Sequence, residues 1–209
     1  MSSLNKARRH FSGKFAQRQG ALFQQDIDRL ASQRGPGSWY LHGLFLIRTD
    51  ARARVTKNGA YLVKRNPCDA IVDYVGGFST SDLRQRALYL EAKTIPVHKA
   101  DAKNTPFPIG NKSRIPEHQL QWLLDTEFHG ALSYFLVRTY SEAGEYRHWL
   151  ISPMAATAAL KDTGKKTSVT FAEIERQNGI VELQTLLQGL PKALLQAVLS
   201  EALAKLPRG

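Results

Sequence analysis

The sequence has little cysteine and no long hydrophobic run. Its single cysteine, Cys68, excludes an intrachain disulfide and a zinc site built from cysteines alone. This usage is typical of a reducing compartment, so we expect a cytoplasmic protein. No apolar stretch approaches the roughly 20 residues that span a bilayer. Residues 1–20 also lack the apolar segment of a secretory signal, so we expect no membrane partner.

Acidic residues are scarce relative to basic ones. The 209 residues include 18 Asp and Glu against 29 Lys and Arg, a formal net charge of +11. Such an excess attracts polyanions, although charge alone does not separate DNA from RNA or from an anionic membrane surface. A basic soluble protein without a polyanion partner remains the alternative. With 43% hydrophobic and 22% charged residues, the composition is that of a globular protein.

The length suits one domain, and we predict a flexible basic arm over 1–16 and a single domain over 17–209. Helical spacing of apolar residues predicts a first helix over 17–33. Asn58-Gly59 is typical of a hairpin turn, and Thr170 with Glu173 forms a capping box that opens a later helix. A further helix is predicted from Pro116 to about Phe128. Strand-like runs are YLHGLFLI (40–47), CDAIVDYV (68–75), ALYLEAKT (87–94), ALSYFLVRTY (131–140) and EYRHWLIS (145–152). This order predicts an α/β fold with a single mixed central sheet flanked by helices.

Two of these strands carry a constellation suited to phosphodiester hydrolysis. Side chains alternate along a strand, so Glu91 and Lys93 share one face, and Asp69 on the neighbouring strand is expected near Glu91. Mg²⁺ prefers oxygen ligands, and a bound divalent cation lowers the pKa of a water and stabilises charge on a phosphate. A lysine beside it can orient the water and offset negative charge. We therefore predict that Asp69 and Glu91 bind a metal. The alternative is a solvated strand face with a Glu–Lys pair.

Two basic segments follow this site. Ordinary loop solubility is the alternative to phosphate binding for both. Phe107, in the first segment, could stack on a base, although burial between its flanking prolines is the other interpretation. The predicted phosphate-binding residues are Lys99, Lys103, Lys112 and Arg114 in the loop over 95–115, and Lys165 and Lys166 in the loop over 162–169.

Several short motifs together resemble one nuclease family. Pro67-Cys68-Asp69 followed by Glu91-Ala92-Lys93 resembles the PD-(D/E)xK nuclease superfamily. Four further segments are similar, in order, to motifs of RecU-type Holliday junction resolvases and span roughly 17–175. These are Arg18-Gln19-Gly20, the KNTPFPI run (103–109), His118-Gln119-Leu120 and the GKKTS run (164–168).

The resemblance implies a restriction-endonuclease-like core and a homodimer that cuts four-way DNA junctions symmetrically with Mg²⁺ or Mn²⁺. It implies a stalk at 48–66, an assisting role for Gln119 in catalysis and a DNA contact for His118. The C-terminal helical extension over 178–209 is not explained by it.

The sequence departs from the family pattern at two places. The family's first helix offers an acid, whereas this chain has Gln24 there, with Asp26 and Asp28 nearby as replacements. Pro116 stands where the family has the first of two paired histidines. A restriction-type or branched-DNA nuclease with the same site, and a DNA-binding module without catalysis, are therefore the alternative functions.

Overall fold

The computed structural model describes the greater part of the chain. It covers residues 3–32, 44–48, 53–56, 59–62, 70–74, 88–97, 102–129, 132–141 and 144–186, with 189, 192–193 and 196 beyond them. The helices of this part are α1 (Ser3–Ser32), α2 (Glu117–Phe128), α3 (Pro153–Asp162) and α4 (Phe171–Glu175). Its strands are β1 (Leu44–Arg48), β2 (Ala53–Thr56), β3 (Gly59–Leu62), β4 (Ala70–Tyr74), β5 (Leu88–Pro96), β6 (Pro106–Phe107), β7 (Leu132–Tyr140), β8 (Tyr146–Ile151), β9 (Val169–Thr170) and β10 (Ile180–Leu183).

Six strands form one mixed sheet in the order β1-β4-β5-β7-β8-β10. Neighbours run antiparallel except β5 and β7, which are parallel. Helix α2 lies between these two strands in the chain, as a parallel pair requires a crossover connection. The predicted mixed α/β fold with one central sheet is confirmed.

Helices cover both faces of the sheet. Phe23 and Ile27 of α1 are buried on one face, where Phe23 lies against Arg138 and His148. Phe107 packs on Phe135 on the opposite face, where α2, α3 and α4 lie. A central strand covered on both faces has no solvated side, which is why β7 is buried along almost its whole length.

Helix α1 begins much earlier than predicted. It runs from Ser3 to Ser32, so the predicted start of the helix at residue 17 is wrong, while the flexible basic arm over 1–16 stays a prediction. The physical reason is that no proline precedes Pro36, and Gly13, with open space around its Cα, costs only about 1 kcal/mol inside a helix. The division into an arm and one domain also stays a prediction.

The segment after β5 is packed rather than structureless. Pro106 and Phe107 pair with Thr170 and Val169, which joins β6 to β9. Phe107 is 0% exposed and lies edge-on to two phenylalanine rings, so its burial is confirmed and stacking on a base is wrong. The 95–115 segment therefore contributes to the core.

Gly110 brings the two predicted basic segments into contact. Its backbone N–H donates to the Thr167 carbonyl oxygen at 3.1 Å, and a Cβ added there would lie 2.3 Å from the Lys166 carbonyl oxygen. Only glycine allows so close an approach. The segment around Gly110 and the segment over 164–168 are thus held together as one unit.

Other local predictions vary in their outcome. The hairpin at Asn58-Gly59 is confirmed, since β2 pairs with β3 as a separate two-stranded sheet inside the 48–66 segment. The Thr170–Glu173 capping box is present. Strand β10 (Ile180–Leu183) lies within the predicted helical extension over 178–209, so that prediction is wrong for these residues, which pair with β8 instead. The C-terminal amphipathic segment over 191–206 lies outside the described residues apart from isolated positions.

Candidate active site

Strand β5 brings Glu91 and Lys93 together as predicted. The Lys93 Nζ donates to Glu91 Oε1 at 2.6 Å, because residues two apart on a strand share a face. The Glu91 side chain is 1% exposed and that of Lys93 is 22% exposed. The alternative of a solvated strand face is therefore wrong, because the Glu91 carboxylate is removed from solvent. Buried charges in proteins are paired or coordinate a metal.

Helix α2 adds Gln119 to this pair. The helix begins at Glu117 after Pro116, whose fixed φ suits the position before a first turn. Gln119 therefore lies in the first turn, and its Oε1 is 3.4 Å from Lys93 Nζ. The hydrogen bonds connect Glu91, Lys93 and Gln119 into one set. Because these are the residues predicted to take part in catalysis, we call the set the catalytic cluster.

Asp69 and Lys99, two further predicted site residues, lie outside the described residues. The described pairing of β4 begins at Ala70, which is opposite Leu90. Glu91 follows Leu90 and pairs with Phe135 on the other side, in β7. Leu90 is thus the last residue of β5 with a described partner in β4, and Glu91 is the residue after it.

An open groove of about 560 Å³ lies at the end of β5. It reaches Lys93 of the catalytic cluster, while Glu91 does not line it. Helix α1 contributes Gly20 and Gln24 to one wall. A Cβ at Gly20 would lie 3.8 Å from the Thr94 Oγ1, so the helix passes close to the strand.

The polar side chain of α1 that lines this groove is Gln24, and neither neighbouring acid lines it. Asp26 instead accepts a hydrogen bond from Arg138 Nη2 at 2.6 Å. Asp28 is exposed and does not line the groove. The structure thus gives no support to either aspartate as a replacement for the missing acid, because the helical turn places a neutral amide at the groove.

The described cations of the two basic segments differ in their surroundings. Each of three lysines is in an ion pair with a nearby glutamate, and these lysines lower the pKa of Glu117 and of Glu173. Arg114 lines the groove, while Lys166 and His118 are exposed. The three pairs are Lys103–Glu175 at 3.0 Å, Lys112–Glu117 at 2.7 Å and Lys165–Glu173 at 2.6 Å. Exposed pairs of this kind are weak and can exchange with phosphate, so their DNA contacts stay predictions.

The donor set decides whether a divalent cation fits. Among the described residues no group of three His, Cys, Asp or Glu side chains lies close enough together to hold a metal. Glu91 supplies one carboxylate, and Gln24 and Gln119 carry neutral amide oxygens. Mg²⁺ is commonly held by one or two carboxylates together with substrate phosphates. Glu91 together with a second acid would therefore fit a divalent cation. Asp69 is the nearest such acid in sequence, because it directly precedes Ala70, the first residue of β4 that pairs with β5.

A second polar cluster lies on the other face of the sheet, and it was not predicted. Arg138 is buried in β7, with its guanidinium 4.4 Å from the centre of the Phe23 ring and 5.1 Å from that of Tyr146. Its Nε donates to His148 Nε2 at 2.9 Å, and its Nη2 to Asp26. The one signal in the sequence was a cation inside an apolar strand. This cluster fixes α1 on the sheet.

We expect His148 to titrate far below an ordinary histidine. Burial, and then the positive charge of Arg138, lower its pKa from 6.5 to about 4, while Asp26 opposes this shift. Since the folded-state pKa is the lower one, stability is fully present above about pH 6.5 and declines as the pH falls from there to about 4. A pH titration of the imidazole signals by NMR measures the midpoint.

The variant Arg138→Met is the control for this titration. Without the guanidinium, the His148 pKa should rise only part of the way, because burial is the larger cause. A midpoint near 6.5 in the parent protein would contradict the described burial of this ring.

No protein-family model matches the chain, and no curated protein matches it. Among solved structures, one that is similar is a Holliday junction resolvase, Hjc, from the archaeal hyperthermophile Archaeoglobus fulgidus. It is 16% identical, with 66% of this chain and 83% of that chain covered, at a TM-score of 0.33. In the described part, no helix is both long and apolar enough to cross a membrane.

Proposed function

We propose that the chain is a metal-dependent DNA endonuclease. The single observation that carries this proposal is the catalytic cluster, in which a carboxylate with 1% exposure is bonded to a lysine that is itself near a glutamine. Burying a carboxylate costs free energy unless it is paired. Such an arrangement at the end of a groove therefore favours a catalytic role over that of an ordinary surface ion pair. The net charge of +11 supplies the attraction for a polyanionic substrate.

In this proposal Asp69 completes the metal site. Consecutive residues have Cα atoms about 3.8 Å apart, so the Cα of Asp69 is about that far from the Cα of Ala70. Ala70 is paired with Leu90, the residue that precedes Glu91. Glu91 and Asp69 would hold Mg²⁺ or Mn²⁺. When bound, the cation supplies a water of lowered pKa and stabilises charge on the phosphate.

Lys93 has the geometry to position the attacking water. An ammonium has three donors, and Lys93 uses one on Glu91 and directs another towards Gln119. The third can reach a water or a phosphate oxygen at the groove. Because Gln119 accepts from Lys93 with its Oε1, its amide N–H groups remain oriented to donate to the same ligand. These two side chains therefore orient the nucleophile and offset the charge that develops on the phosphate.

The finer part of the proposal is resolution of four-way junctions by a cytoplasmic homodimer. It is supported by the ordered motifs that resemble RecU-type resolvases, one of which contains Gln119, whose Oε1 lies 3.4 Å from Lys93 Nζ. Two symmetric nicks require two active sites, hence two copies of the chain. A restriction-type or branched-DNA nuclease with the same cluster is the nearest alternative.

Cleavage of a labelled four-way junction and of a matched linear duplex tests both levels of the proposal. In Mg²⁺ or Mn²⁺, the parent protein should place paired nicks in the junction and leave the duplex intact. The matched variant Asp69→Asn should bind the junction and leave it uncut. Equal cutting of duplex and junction would retain a nuclease and reject a resolvase.

A DNA-binding module without catalysis is the second candidate function. It is favoured by Gln24, a neutral residue at the groove, and by the tight Lys93–Glu91 pair, which a metal would have to loosen. It predicts salt-sensitive binding of DNA with no nicks in either cation. That result, together with binding unchanged in Asp69→Asn, would replace the endonuclease proposal.

A further inference from the structure

The groove at the end of β5 has a chemical character that the catalytic cluster alone does not account for. Among the described residues that line it there is no acid. Its polar lining consists of two cations and five neutral groups that can donate hydrogen bonds: Lys93, Arg114, Gln24, Thr94, Asn111, Thr167 and Ser168. A concave surface of this composition is complementary to an anion with several acceptor oxygens.

The two cations of the groove are not equivalent. Lys93 is occupied by Glu91 at 2.6 Å. Arg114 has no ion pair with any other described residue, in contrast to the neighbouring Lys112, which is paired with Glu117. The Arg114 guanidinium lies near enough to Tyr140 for its charge to oppose the rise in the Tyr140 pKa that burial causes. Arg114 thus lies at the groove with no counterion among the residues that the structure describes.

The wall that carries Arg114 is tied to its surroundings by backbone hydrogen bonds and by a buried side chain. The amide of Ile115 donates to the Asn111 carbonyl oxygen at 2.9 Å, and Ile115 is buried. Gly110 joins this turn to the segment that carries Thr167 and Ser168, through its 3.1 Å hydrogen bond to Thr167. The guanidinium and the hydroxyl groups therefore approach the groove from two segments that are fixed to one another.

We propose that this groove binds one phosphodiester of the DNA backbone beside the catalytic cluster, with Arg114 as the anchoring cation. Arginine suits this task because its planar fork donates two parallel hydrogen bonds to a phosphate. Ser168 and Thr167 donate to the remaining oxygens. The lysines in ion pairs outside the groove contribute less, since each must first leave its glutamate. This inference depends on the proposed function only in taking DNA as the source of the phosphate.

Equilibrium binding of a labelled duplex in EDTA, over a series of salt concentrations, tests the proposal without any cleavage. We expect Arg114→Gln to weaken binding about tenfold, as for the loss of hydrogen bonds to a charged group. The slope of log K against log salt should fall by about 0.9, the value expected when one phosphate is no longer neutralised by the protein. Arg114→Lys should keep the slope of the parent protein.

The matched control is Arg147→Gln, which removes the same charge from an exposed arginine outside the groove. It should leave the slope within error of the parent value. Equal effects of the Arg114→Gln and Arg147→Gln variants would overturn the proposal. So would a reduced slope in Arg114→Lys, because it would mean that the substitution had disturbed the turn and not removed a charge.

NMR separates the two sources of phosphate. A short single-stranded oligonucleotide should shift the amide signals of Asn111 and Ser168 at far lower concentration than inorganic phosphate does. Shifts with inorganic phosphate alone would overturn the DNA assignment. Because these measurements need no turnover, an absence of nicks in the junction assay would reject the nuclease and leave the groove assignment standing.

Discussion

Replacing Glu91 with glutamine should lower the rate of junction cleavage about a thousandfold. The loss corresponds to about 4 kcal/mol of transition-state stabilisation, the size expected when a metal ligand is removed. Glutamine keeps the shape of the side chain in a position that is 1% exposed, and its Oε1 can still accept from Lys93. The variant should therefore fold, and it should bind DNA as the parent protein does.

The control for this substitution is Glu182→Gln. Glu182 is a strand residue in an ion pair with Arg147 at 3.5 Å, far along the sheet order from β5. It loses the same charge and should retain full activity. Single-turnover cleavage measures both variants, because it separates chemistry from product release. Cleavage by Glu91→Gln at the parent rate would remove the catalytic cluster from the reaction.

Asp26→Ala should lower the free energy of unfolding by about 2–3 kcal/mol. The substitution leaves the Arg138 guanidinium, which is 6% exposed, without its counterion inside the protein. Breaking a fully buried ion pair costs about 3–5 kcal/mol. The loss expected here is smaller than that range because the Asp26 side chain is 46% exposed. For a chain of this size we expect a fall in Tm of about 5–10 °C.

Two further variants make this measurement specific. Asp28→Ala, at an exposed position of the same helix, should change stability by less than about 1 kcal/mol. The double variant Asp26→Ala, Arg138→Met should be less destabilised than the sum of its single variants, since it leaves no buried charge. Denaturant unfolding gives all four values. An additive double variant would mean that the two side chains do not interact.

The alternation of side chains along a strand was enough to predict the Glu91–Lys93 pair. The resemblance placed Gln119 in the first turn of a helix, and the structure brings it to Lys93. The depth of the site could not be predicted, because the burial of Glu91 depends on β7 and α2, which come later in the chain. A local pattern reports which residues share a face and not what covers that face.

The features that could not be predicted have one local origin and two origins in tertiary contacts. Nothing in the composition of residues 1–16 distinguishes a helix from an arm, and α1 continues because no residue there stops it. Residues over 95–115 have the proline and glycine content of a loop, yet Phe107, Ile109 and Ile115 enter the core. The ion pairs of Lys103, Lys112 and Lys165 could not be predicted either, because their partners Glu175, Glu117 and Glu173 come from α2 and α4.

The order of strands has a consequence for how the protein folds. In the described part, the sheet consists of two antiparallel halves, β1-β4-β5 and β7-β8-β10, joined by the parallel pairing of β5 with β7. Each half can form from segments close in sequence, whereas the seam requires closure of the long loop between Leu88 and Leu132, a slow step. Glu91 and Lys93 lie on this seam. The two halves can therefore collapse early, but activity on refolding should return only with the last step, when the seam closes.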